Sequence, residues 1–272
     1  MATITSSLGY EQIYHERLRE TRNMITFASL LDALDQGVCE DVTYRKVMNE
    51  AYEIARKANP NGVPTQVPDV SLVSSVIRSN VKIMVYNIIE YTITHLFQAI
   101  YDTINNEKCG YAEVSEQLRT IWHRTQIRSG LQDPNSNNNT VEHISKKMLD
   151  DAIANTALRF DARRTITGGN LDGERILNLF KEHGVTLHHN RYLHRDDELR
   201  DIRDRRNALA HGSISFTDAG NQVTTSDLTE LVNHVDLFLK QLRKETIVYL
   251  DAEEYRQSPA RPDKIESIEN RQ

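Results

Sequence analysis

The sequence predicts an all-α bundle, on three observations. Apolar residues recur at helical spacing through most of the chain. Glycine and proline gather in a few short breaks between those stretches. No regular succession of short β-type runs is present from which a doubly wound sheet could be built. The composition, 39% hydrophobic and 26% charged over 272 residues, is that of a globular protein with room for one large domain or two modest ones. No period of about 20 to 50 residues recurs, which argues against a solenoid.

The first helix is expected across YEQIYHERLRETRNMITFASLLDALDQG. Ile13, Leu18, Ile25, Leu30 and Leu34 follow an irregular helical pattern, and Gly37 is suited to end it. A shorter helix follows from about Val42 to Ala58, before NPNGVPTQVPD supplies three prolines and a glycine as a loop. From Val70 the segment through Ile104 is apolar around almost its whole circumference and must be surrounded by other elements. Its exceptions, Asn87, Glu90 and Thr94, recur at spacings of three and four and so share one side. A polar line on a buried helix requires partners. It is either a hydrogen-bond network between helices or the second wall of a cleft.

Further helices are expected over Tyr111–Gly130 and from Val141, where Val141, Ile144, Met148 and Ile153 keep helical spacing. An asparagine-rich turn separates them. Residues 161–195 break the rhythm with Gly168, Gly169, Gly173 and Gly184, and read as an inserted segment carrying a short helix from Asp172 to His183. Its glycines do not have the GxxxxGK spacing of a phosphate-cradling loop. A penultimate helix begins near Asp196. The last runs from a cap at Thr225 or Ser226 through Leu228, Leu231, Val235, Phe238, Leu242 and Val248. The expected organisation is a single helical domain over residues 1–255, with 256–272 as a flexible tail.

A net charge of -6 excludes the broad positive field of a protein that grips long nucleic acids without specificity, although a small basic cleft remains compatible with it. Cys39 and Cys109 make neither a disulfide framework nor a CxxC knuckle and fit isolated thiols in a reducing compartment. With no leader-like start and no run of roughly 18 apolar residues, the expectation is a cytoplasmic protein that does not enter a membrane. HExxH, nucleophile-elbow and clustered-carboxylate motifs are absent, so no metal site and no cofactor are expected.

The segment with chemical content is RRNALAHG, Arg205 to Gly212. Leu199, Ile202, Arg206 and Leu209 follow spacings of three, four and three, which places Arg206 inside the apolar stripe of its helix. A charge there needs a carboxylate, a subunit seam or an anionic ligand. His211 shares a face with Asn207 and is offset from Arg206 by about 140 degrees, so two symmetry-related helix ends would bring the pair together more readily than one chain. An imidazole with an ordinary pKa near ~6.5 transfers protons in either direction at neutral pH. A guanidinium holds phosphate oxygens and the charge that develops on them. RNA supplies its own nucleophile, the 2'-hydroxyl, so this pair needs no metal to cleave it. The alternative is structural, with the histidine capping helix carbonyls and the arginine in a buried ion pair.

Arg206, Asn207 and His211 resemble the R-x4-H signature of the HEPN superfamily, with its polar residue directly after the arginine; the preceding helix, the turn after it and the final long helix fit as well. The resemblance implies a HEPN-like bundle, strongest over residues 70–250, with extra N-terminal helices and the Gly-rich insertion as departures from the smallest members. It implies Arg206 and His211 as catalytic positions and Asn207 as the supporting polar one, combined in the interfacial cleft of a homodimer. Many members are metal-independent endoribonucleases of toxin-antitoxin, phage-defence or RNA-processing systems, so RNA is the expected substrate and an antitoxin or defence-system protein a candidate partner. Other members bind RNA or proteins without cutting, which is the competing reading. Glu90, from the polar line, is a candidate orienting residue.

Two basic segments lie outside the motif. LHHNRYLHR brings Arg191, Tyr192 and Arg195 together with three histidines and either holds RNA by phosphate contact and stacking or packs on the bundle. Adjacent histidines without a nearby cysteine do not suit tetrahedral zinc. Arg163 and Arg164, in FDARRTITGG, either guide an RNA backbone or solvate a loop.

Overall fold

The computed structural model describes residues 7–35, 42–59, 61–62, 69–132, 141–166, 170–187 and 196–257. Among them the chain is helical throughout, in the order α1 (Ser7–Asp35), α2 (Val42–Ala58), α3 (Val70–Asn106), α4 (Glu116–Gln132), α5 (Val141–Ile153), α6 (Ala162–Thr165), α7 (Gly173–Glu182), α8 (Asp196–Ala210), α9 (Phe216–Asn221) and α10 (Thr225–Asp251). Isolated bridges join Gly110 to Ala157 and Val114 to Arg256. The architecture is the all-α bundle that the sequence predicts.

α3 is the axis of the bundle. The Asp69 carboxylate accepts the Ser71 N–H at its start. Val81, Tyr86, Ile93, Phe97, Ile100, Tyr101 and Ile104 are fully buried along it. It packs against α1, α6, α8, α9 and α10, as an all-round apolar helix must.

The apolar face of α1 differs from the expected one. Ile13 and Leu30 are 39% and 58% exposed, whereas Tyr14, Leu18, Thr21, Ile25, Ala28 and Leu31 are buried. That stripe runs at spacings of four, three, four, three and three, but Tyr14, Thr21 and Ala28 complete it, and a pattern drawn through the large aliphatic residues alone misses it. Tyr14 also donates to Asp236 of α10 at 2.7 Å. On α5 only Ile144 is buried; Val141 and Ile153 face solvent. α10 is capped by Thr224 instead of Thr225 or Ser226. Thr224 Oγ1 accepts the Asp227 N–H, and the Asp227 carboxylate accepts the Thr224 N–H. Val248 is 44% exposed while its neighbour Tyr249 is buried.

Within 161–195, α7 begins one residue after Asp172 and ends one residue before His183, which cap it. Gly184 takes φ +79 to turn the chain away. Ile176, Leu179 and Phe180 join the main core. At the C-terminal end, Tyr255 is buried and donates to Glu107, Arg256 pairs with the same carboxylate, and Gln257 N–H reaches the carbonyl of Glu113. Residues 258–272 of the expected tail lie outside the described residues.

His183 is fully buried, its ring nitrogens 2.6 Å from the Leu179 carbonyl and 2.6 Å from the Tyr101 hydroxyl. Burial pushes its imidazole down from 6.5 to about 4, because the charged form would lose its hydration. The unfolded chain therefore takes up a proton that the folded one refuses. The resulting stability is complete above pH 6.5 and drains away as pH falls towards 4, by about 3 kcal/mol. Urea unfolding at several pH values across that window should show the loss, and His183→Gln should flatten it. An unchanged slope in the variant would assign the acid sensitivity to other groups.

Candidate functional site

α8 opens with Asp196, Asp197 and Glu198 in its first turn, where carboxylates suit the positive end of the helix. Leu199, Ile202 and Leu209 are buried as the spacing predicts. Arg206, in the same stripe, is half-buried. Its guanidinium lies over the ring of Tyr86, 4.9 Å from the centroid, and its Nη1 donates to Asn207 Oδ1 at 3.0 Å.

The other arginines of α8 all have carboxylate partners. Arg200 pairs with Asp196 at 2.6 Å, Arg203 with Asp172 and Asp204, and Arg205 with Asp201 at 3.3 Å. Lys82 of α3 also pairs with Asp201, at 2.6 Å. Among the described residues Arg206 alone of these arginines has no ion pair. Its positive charge is held against the aromatic face of Tyr86, with its fork unmatched by an anion among the described residues.

The strap ahead of α7 fixes this arrangement. Asn207 Nδ2 donates to Asn170 Oδ1 at 3.0 Å, Leu171 N–H donates to the Tyr86 hydroxyl at 3.3 Å, and Asp172 takes Arg203 while capping α7. Three consecutive residues thus brace the polar residue after the arginine, the ring beneath it and the arginine one turn earlier. The sequence reading missed all three, as well as Tyr86. Asn170 lies in the polar break between two glycines and a helix start, which was a usable sign, whereas Tyr86 looks like any other core aromatic.

His211 follows the last residue of α8. Its backbone N–H bonds to the carbonyl of Asn207 at 2.9 Å, Ser213 N–H reaches Ala208 at 2.9 Å, and Gly212 takes φ +70 to close the turn. The imidazole is exposed and, among the described residues, bonded to nothing. It does not meet Arg206 within the chain, in keeping with their angular offset.

Glu90 lies one turn beyond Tyr86. Together with Asn87, Thr94, Arg17 and Glu20 it lines an open groove of about 580 Å³ between α1 and α3, so the polar line faces a groove. Burial pushes the Tyr86 phenol up, Glu90 pushes it further, and Arg206 and Arg203 pull it down. Glu90 and Arg206 therefore both lie within electrostatic reach of the same hydroxyl. Arg163 and Arg164 belong to α6, but their side chains lie outside the described residues, as do Arg191, Tyr192 and Arg195 entirely.

Among the described residues no three His, Cys, Asp or Glu side chains are grouped to hold a metal ion. None of the described helices is long and apolar enough to cross a membrane.

Because Asn207 joins Arg206 to Asn170, Asn207→Ala should remove the brace and leave the charge. On the expectation that Arg206 and His211 cleave RNA, and with each lost hydrogen bond worth about 1 kcal/mol, the cleavage rate should fall by roughly five- to thirty-fold, less than on loss of His211. Asn170→Ala should produce the smaller part of the same effect. Total loss in Asn207→Ala with the fold intact would give that amide a direct role.

No curated protein and no solved structure matches the chain. The family described as MAE_28990-like HEPN matches it over residues 11–255, which takes in the bundle from α1 through α10 and the R-x4-H segment. The chain belongs to that HEPN family.

Proposed function

We propose that the protein is an endoribonuclease that works without a metal ion, with Arg206 and His211 as its catalytic residues and RNA as its substrate. The observation that carries this reading is the unmatched guanidinium of Arg206. On a helix whose other arginines are neutralised by carboxylates, it is held on an aromatic face and braced by Asn207, ready for an anion that none of the described residues provides.

In this mechanism Arg206 pairs with the non-bridging oxygens of the scissile phosphate and with the charge that grows on them. The 2'-oxygen forms a bond to phosphorus as the bond to the 5'-oxygen breaks. The proton leaving the 2'-hydroxyl passes to histidine, and a proton is returned to the 5'-oxygen, so the products are a 2',3'-cyclic phosphate and a free 5'-hydroxyl. His211 performs the proton transfer, Asn207 keeps the arginine fork aligned, and Glu90, one turn along α3 from Tyr86, is an orienting residue. The outward imidazole of one chain and the Arg206 of another complete one site across a two-fold axis, so the active form is a homodimer. A toxin or phage-defence role, with an antitoxin or defence-system partner, is in keeping with the family.

Purified protein incubated in EDTA with mixed single-stranded and structured RNAs tests this. Cleavage with 2',3'-cyclic phosphate ends is the expected result. Cleavage that disappears on metal removal would overturn the mechanism, and RNA binding without cleavage would favour the noncatalytic module. Light scattering tests the assembly, since a fully active monomer would rule out a site shared between chains.

A further inference from the structure

A second cluster of arginines lies away from Arg206, at the other end of α7. Arg124 and Arg128 of α4 and Arg175 of α7 line one small pocket with Thr125, Glu182 and the buried His183. Glu182 is the carboxylate in it, and it is shared, 3.0 Å from Arg124 and 3.4 Å from Arg175. Among the described residues Arg128 has no ion pair. Among the described residues, three guanidinium groups against one carboxylate leave an excess positive charge in a chain whose net charge is -6. Arg124 is 51% exposed and Arg175 38%, so their donors remain open to a ligand.

An exposed cluster of ion pairs meant only for stability would balance its charges, because each unmatched arginine repels its neighbours and gains little from solvent-screened pairs. This one is unbalanced, and guanidinium forks fit phosphate oxygens. Its position gives the ligand. α7 starts at the strap that braces Arg206 and Tyr86 and spans about 15 Å, ending at Glu182. Arg175, in its first turns, reaches along the helix to Glu182 at its end. α7 thus connects the candidate cleavage site to the arginine pocket.

We propose that Arg124, Arg128 and Arg175 form a phosphate-binding subsite that holds the RNA backbone several nucleotides from the scissile bond. The proposal rests on the reading of the protein as an RNA-cleaving enzyme and adds to it a length requirement for the substrate. The three arginines are positioning residues. They touch the substrate's backbone and take no part in bond breaking.

The test uses full-length protein, fluorescently labelled oligouridines of graded length, and a dinucleotide with one phosphodiester, which cannot reach both ends of α7. Arg128→Gln is the primary variant because it breaks no ion pair, and Arg124→Gln and Arg175→Gln follow, each checked by thermal melting. For long oligouridine the slope of log affinity against log salt should become shallower by about 0.7 for each arginine removed. KM for long RNA should rise with kcat unchanged, while cleavage of the dinucleotide stays at the wild-type level. Wild-type affinity and salt slope in all three variants would overturn the subsite and leave the ribonuclease reading standing. Failure of the wild-type protein to bind any oligouridine would overturn both. Inorganic phosphate that competes with the dinucleotide but does not weaken long-RNA binding would place anion binding at Arg206 alone, which also rejects the subsite.

Discussion

His211→Ala should leave a folded, dimeric, RNA-binding protein whose single-turnover cleavage is about a hundred- to ten-thousand-fold slower than wild type, the usual range for removing a positioned acid or base. The imidazole is exposed and bonded to nothing among the described residues, so its removal should change stability by no more than about 0.5 kcal/mol. Arg206→Lys tests the other half of the pair. Lysine keeps the charge but loses the planar fork that lies on Tyr86 and donates to Asn207. A rate loss of about a hundred-fold is expected, comparable to removing one oxyanion donor. Circular dichroism, light scattering, RNA binding and single-turnover rates should be measured on the same preparations. Wild-type cleavage in a folded His211→Ala protein would remove His211 from the chemistry. Loss of the dimer in that variant would instead show that the helix end serves assembly.

Much of this was legible in the sequence because the governing patterns are periodic. The apolar circumference of α3, the bounds of α2 and the short helix between Asp172 and His183 follow from spacing and end residues. So does the place of Arg206 in the stripe of α8. What the sequence left hidden depends on long-range partners. The spacing of α8 puts Arg206 in the stripe and Arg203 beside it but names a partner for neither, and only the fold shows that Asp172 takes Arg203 while Tyr86 lies under Arg206. Asn170 and Leu171 brace residues 37 and 85 positions away. The face of α1 was misdrawn because a tyrosine, a threonine and an alanine share its seam with the aliphatic residues, and it is the packing surface of α3 that decides which residues fit there. The polar line of α3 was visible, but the groove it faces is made by α1 and required both helices.

Gly220→Ala should destabilise the protein by about 3 kcal/mol or more, although it adds a single methyl group. α9 is pressed directly onto α3. A Cβ at Gly220 would collide with the backbone carbonyl of Ser75, which no side-chain rearrangement can relieve. Around that contact the Gly220 carbonyl accepts from Arg78 Nε at 3.0 Å, and the Ser75 hydroxyl donates to Asn221 at 2.5 Å. Accommodating the methyl group means lifting α9 and breaking these bonds together. The same docking bears on the site, because the turn from His211 to Ser215 is strung between α8 and α9. Gly212→Ala is the informative contrast. There φ is +70 and nothing lies within 4 Å of the added carbon, so the cost is backbone strain of about 1 kcal/mol, placed beside the imidazole. Gly220→Ala should therefore lower the melting temperature steeply, with activity falling only as the folded fraction falls. Gly212→Ala should melt close to wild type while its cleavage rate drops further than its stability. If both variants lose activity only in proportion to unfolding, the turn does not position His211 for the reaction. If Gly220→Ala melts like wild type, α9 is not seated on α3 as closely as its glycine requires.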